Sequence, residues 1–140
     1  MPGNSSRKVY VIPCSGIGKM YGLLGREAAL KTVKELRPDK AATMCLALLV
    51  YGDNEARKEI AGARCITVDG CPKLCAAKNV EHAGGRVVER VRAVDAFRNH
   101  RGVDAGTAAH LTAAGWQIAE ELAADLAAKV DRWYDAGEEQ

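Results

Sequence analysis

"RCITVDGCPKLCAAKNVEH", residues 64–82, holds a strand, a turn and a helix start in one stretch, and its reading decides the fold. Arg64 to Val68 is a β-branched run of strand length. Asp69-Gly70 is a turn-forming pair, and Asp69-Gly70-Cys71-Pro72 opens a helix that runs to about His82. Pro72 suits the first helical position, where its absent N–H is not missed. Cys71 and Cys75 follow the strand with three residues between them.

The same alternation extends in both directions. Lys8-Val9-Tyr10-Val11-Ile12-Pro13 reads as a buried strand, followed by the Gly-rich Cys14-Ser15-Gly16-Ile17-Gly18 and a helical stretch from about Lys19 to Arg37, closed by Pro38. Thr43 to Val50 is an apolar run of strand length and reads as the second strand. It ends at Tyr51-Gly52-Asp53-Asn54, where Asp53 or Asn54 caps a short helix through about Ile60. Downstream, Gly84-Gly85 breaks the third helix, and Arg86 to about Val94 alternates as a fourth, edge strand. Residues 99–106 form a polar loop before a long C-terminal helix over about 106–134. Leu111, Ile118, Leu122, Leu126, Val130 and Trp133 give that helix one apolar stripe, to dock on the sheet or on a second subunit of a homo-oligomer.

Strands alternating with helices predict an α/β fold: a small, mostly parallel sheet of four strands with helices on both faces. This is a doubly wound, flavodoxin-like or Rossmann-like three-layer arrangement, with residues 1–140 as a single domain. Ligands in such sheets collect beyond the carboxyl ends of the strands. Cys14, Cys71 and Cys75 fall there, whereas Cys45 sits early within the second apolar run and must also reach that edge to share a site.

Composition narrows the classes. Apolar residues are 48% and charged residues 27% of the 140, ordinary for a globular protein. A net charge of +2 is too small to argue for nucleic acid or an anionic membrane. No apolar run spans a bilayer, and MPGNSSRK lacks a secretory apolar core, so the expected setting is cytoplasmic. Thiols stay reduced there, and clustered cysteines point to metal or redox chemistry. Five cysteines (Cys14, Cys45, Cys65, Cys71, Cys75) is also an odd number for a disulfide-paired monomer.

At Cys71 and Cys75 the C-x3-C spacing places both thiols on one side of a helix start, within the about 5–6 Å Cβ separation of i,i+4 pairs. Side-chain rotation can close that gap to hold a tetrahedral ion with Zn–S distances of about 2.3 Å. The helix N-terminus favours thiolate, which suits a reactive thiol as well as a metal ligand. Packing as small core residues is the third reading of the pair.

The first loop, "CSGIGKMYG" (residues 14–22), fits no standard phosphate motif. Met20 follows Gly18-Lys19 where a Walker A loop needs Ser or Thr, and Gly16, Gly18 and Gly22 run one residue too long for a dinucleotide fingerprint. Met20 also stands where a cysteine phosphatase loop has Arg. The loop still lets backbone approach a ligand or a Cys14 thiolate, or makes a tight strand-to-helix turn. His82, His100 and His110 read as surface histidines, and the basic residues as solvated helix faces. Tyr21 and Tyr51 border the site loops and read as packing residues that could help exclude water.

"VIPCSGIGKMYGLLGREAA" (residues 11–29), "LRPDKAATMCLALL" (residues 36–49) and "ITVDGCPKLCAAK" (residues 66–78) together resemble the DGC-domain family, named for its Asp-Gly-Cys triplet, here Asp69-Gly70-Cys71. The resemblance covers about residues 8–95 and implies a small cytoplasmic domain whose four motif cysteines are proposed to bind zinc. Those cysteines are Cys14, Cys45, Cys71 and Cys75 here; Cys65 falls outside the motifs and reads as a buried strand thiol.

Two functions follow as expectations. One is a structural or regulatory metal module, in which four thiolates hold zinc or, as an alternative, an iron–sulfur cluster. The other is a thiol-redox or nucleophilic protein using Cys14, with Cys71 or Cys75 as the resolving thiol. Against the second stands the lack of a His or carboxylate partner in the motifs, apart from Asp69.

Overall fold

The computed structural model describes residues 8–14, 20–70, 75–98, 100, 102–107 and 110–136. Its elements are β1 (Val9–Pro13), α1 (Met20–Lys31) widening into a π-helical turn at Thr32–Leu36, β2 (Ala41–Ala42), α2 (Leu46–Tyr51), α3 (Asn54–Ile60), β3 (Arg64–Asp69), α4 (Cys75–His82), β4 (Arg86–Arg92), a 3-10 turn at Ala93–Phe97, and α5 (Ala113–Ala136). The strands form one four-stranded sheet, all parallel, in the order β2-β1-β3-β4. From β1 the chain goes first to one side of the sheet and then crosses to the other. The order therefore reverses between β1 and β3, the place where open α/β sheets leave a crevice.

Both faces of the sheet are covered, as a parallel sheet requires. Side chains alternate along each strand. Val9, Val11, Ile66 and Val68 pack under α1 and α5, while Tyr10, Ile12 and Cys65 pack under α2, α3 and α4. The apolar stripe of α5 is buried at Ile118, Leu122, Leu126 and Val130 within the first of these clusters. The stripe thus docks on this chain's own sheet and α1. Thr32 ties the two helices, its Oγ1 lying 2.9 Å from Ala28 O and 3.2 Å from Ala123 O. At the far end Asp131 takes a forked pair from Arg37, at 2.7 and 2.9 Å, and the guanidinium holds its carboxyl below the usual carboxylate range.

One element differs from the sequence reading in a way that matters for function. Thr43 to Val50 is not a strand. Only Ala41–Ala42 pairs with β1, and Leu46–Tyr51 is a helix. Leu46 and Leu49 are its buried positions, three apart, while Ala47, Leu48, Val50 and Tyr51 face outward. Six consecutive apolar or aromatic side chains carry no period, so helix and strand look alike in such a run. Gly52, at φ 91°, ends the helix in the left-handed conformation that glycine adopts without cost. Asp53 then caps α3, its carboxylate accepting from Ala56 N at 2.9 Å. The edge position of β4 and the helical identity of α1, α3, α4 and α5 agree with the sequence reading, but α5 starts at Ala113 rather than at about 106, and Leu111 lies before it in a bridge to Gly106.

Candidate metal centre at the carboxyl edge of the sheet

The register of β1 and β3 builds this edge. Pro13 lies opposite Val68, so Cys14 and Asp69-Gly70 leave the sheet side by side. Cys14 N donates to Val68 O at 2.9 Å, carrying the ladder one residue past β1. The Cys14 Sγ in turn accepts from Gly70 N at 3.3 Å. The residue before Cys71 is therefore in contact with the Cys14 sulfur, although Cys71 and Pro72 lie outside the described residues, and with them the proposed helix opening at Pro72.

The Asp69-Gly70 pair has a physical reason for each member. Asp69 is 1% exposed, and its carboxylate accepts from Ala76 N at 2.7 Å and Ala77 N at 3.3 Å. It reaches from the end of β3 to satisfy the open N–H groups at the start of α4. Burial pushes the Asp69 carboxyl up from its ordinary value, and the two N–H donors and Lys78 act against that rise. Gly70 is required for space: a Cβ there would sit 2.8 Å from Gly22 N and 3.0 Å from Gly22 Cα. Asp69 thus caps one helix and Gly70 lets the start of another approach. Asp69→Ala is expected to lower stability by about 1–2 kcal/mol, with Asp69→Asn recovering part of it. Urea denaturation measures this, and an unchanged midpoint would show that the cap contributes nothing.

Cys45 has moved relative to the sequence reading. It lies past the end of β2 as the residue that precedes α2, exposed, and its side chain makes no capping hydrogen bond. Cys14 and Cys45 line a single cleft of about 440 Å³, together with Pro13, Arg26, Leu30, Thr43, Met44, Leu46 and Ala47. Thr43 fixes the segment, its hydroxyl donating to Val11 O at 2.8 Å. Cys75 is the first residue of α4 and exposed, and α4 packs against α2. Among the described residues, no group of three or more His, Cys, Asp or Glu side chains converges closely enough to hold a metal ion.

Cys65 is a buried strand thiol, as expected. It is fully enclosed in β3, bonds to Ala63 O at 3.3 Å, and burial pushes its pKa up from 9.0 to about 12. His82 and His110 are exposed, and His100 pairs with Glu121 at 2.7 Å. Tyr21 packs edge-on against Phe97 with ring centroids 5.1 Å apart, in line with its reading. Tyr51 does not: it is 86% exposed and shields nothing. Arg26 was legible only as part of a solvated helix face, yet it lines the cysteine cleft; a basic residue four before Leu30 on a helix gives no stronger signal.

The family model described as DGC domain matches residues 10–111, somewhat beyond the span marked by the three motifs. No curated protein and no solved structure matches the chain. No helix among the described residues is long and apolar enough to cross a membrane.

Proposed function

The chain belongs to the DGC domain family, and from that membership and the position of its cysteines we propose that it is a metal-binding module. Cys14, Cys45, Cys71 and Cys75 are its ligands and zinc is its metal, in a cytoplasmic setting where the thiols stay reduced. The observation that carries the reading is Cys45. A cysteine at the residue before a helix is a poor choice for capping, where Ser, Thr, Asp or Asn serve. Here the thiol makes no cap and stands in the same cleft as Cys14. Thiol sulfurs suit tetrahedral zinc chemically, and on this reading Cys14, Cys45 and Cys75, which do not converge among the described residues, draw together around the ion. The Gly70 N–H also points its positive end at the Cys14 sulfur, which suits a ligand carrying negative charge.

A site closed by four thiolates leaves no open coordination position, so the module's role is structural, sensing or metal handling rather than hydrolysis. Asp69 supports this against a nucleophile–base enzyme. It is the motif carboxylate that shares the triplet with Cys71, and both its oxygens are engaged by the α4 backbone.

Elemental analysis of untagged protein purified without added metal tests the proposal, with a visible spectrum alongside. About one zinc per chain in a colourless sample is the expected result. Iron in a brown sample would replace zinc by an iron–sulfur cluster. Folded, metal-free protein with titratable thiols would overturn the metal reading in favour of a thiol-redox protein.

A further inference from the structure

The cleft that holds Cys14 and Cys45 has a second part that a metal does not use. Its wall is mostly apolar: Pro13, Leu30, Met44, Leu46 and Ala47. Among the described residues Arg26, an exposed side chain, is its one charged lining residue and makes no ion pair or hydrogen bond. Arg37, Arg90, Arg92, Arg98 and Arg132 each lie against a carboxylate, whereas Arg57, like Arg26, has no ion pair among the described residues and lies outside the cleft. At about 440 Å³ the cleft exceeds two others, of about 360 and 270 Å³, and falls within the roughly 300–1,000 Å³ typical of small-molecule sites. It opens where β1 and β2 end, at the carboxyl edge where parallel sheets receive ligands.

We propose that this cleft binds a small organic carboxylate with an apolar body. A guanidinium presents a planar fork that matches a carboxylate with two parallel N–H···O bonds. The aliphatic part of the ligand lies along Leu30, Met44, Leu46 and Ala47, replacing water over an apolar wall. This inference goes beyond the metal reading, because Arg26 and the apolar wall are not among the proposed metal ligands. It does share Cys14 and Cys45 with that reading, so ligand and metal would occupy neighbouring parts of one cleft. Any effect of one on the affinity of the other must then be reciprocal.

Isothermal titration of the as-purified protein with octanoate, octanamide and acetate tests it. Octanoate is expected to bind roughly tenfold or more tightly than octanamide, the difference a charge-assisted pair supplies. Acetate should bind far more weakly than octanoate, since it lacks the apolar body. Arg26→Gln should bring octanoate to the level of octanamide while metal content and thermal midpoint stay unchanged. Ala47→Phe, at an exposed position on the cleft wall, should weaken octanoate and octanamide together. Equal binding of octanoate and octanamide, no binding of either, or an unchanged octanoate affinity in Arg26→Gln would each overturn the proposal. Because Arg26→Gln keeps all four proposed ligands, metal analysis of the same samples separates failure of this inference from failure of the metal reading.

Discussion

Cys14→Ser is expected to strip the metal from the protein and to lower its unfolding midpoint by on the order of 10 °C. A ligand that binds only the folded state stabilises it by RT ln(1 + [L]/Kd), about 4 kcal/mol when the free metal stands at a thousand times its dissociation constant. Serine is the informative replacement here. It keeps an acceptor for the Gly70 N–H that now meets the sulfur at 3.3 Å, so the loss reports the metal rather than the hydrogen bond. Cys45→Ser adds a sign test. Serine is a good residue for the position before α2, where the thiol makes no cap, so in chelator-treated protein the substitution should raise stability by up to about 1 kcal/mol. In metal-loaded protein it should lower stability. Cys65→Ser should retain metal, because that thiol is enclosed in β3 and stays protonated far above neutral pH. Calorimetry with and without chelator, beside metal content per chain, reads all of these. Full metal content in every one of the four single variants at Cys14, Cys45, Cys71 and Cys75 would sink the four-thiolate assignment.

Where the sequence carried a period or a cap, it was readable. Val9 to Pro13 and Arg64 to Asp69 are buried on both faces and bounded by turn residues, which marks them as central parallel strands. Arg86 to Arg92 mixes valines with charged residues, the composition of an edge. Asp53 announced α3, and the spacing of Ile118, Leu122, Leu126 and Val130 announced α5. The second strand was misread because its real pairing is two alanines, which carry little strand preference, while the β-branched and apolar residues that follow belong to a helix. That error moved Cys45 into a strand and away from the edge it occupies. The site was legible as four positions along the chain, but not as a cleft. Arg26 and Met44 come to it through the packing of α1 and the turn after β2, and no local pattern encodes those long-range neighbours.

Gly70→Ala tests whether the Asp-Gly-Cys triplet is a structural device for the site rather than a sequence coincidence. It is expected to cost about 2–3 kcal/mol and to reduce metal content although every cysteine is intact. The added Cβ would lie 2.8 Å from Gly22 N, 3.0 Å from Gly22 Cα and 3.1 Å from the carbonyl carbon of Tyr21. All three are backbone atoms, so no side-chain rotation can relieve the contact. Either the start of α1 or the end of β3 must move, and such movement draws Gly70 N away from the Cys14 sulfur. Gly62→Ala is the matched control. Gly62 has φ +72° with open space around it, so alanine there costs about 1–2 kcal/mol of backbone strain without touching the edge of the sheet. The pair separates general destabilisation from damage to the site: Gly62→Ala should keep its metal and Gly70→Ala should lose much of it. If Gly70→Ala keeps both its midpoint and its full metal content, the close approach of α1 to the triplet does not hold the cysteines in place.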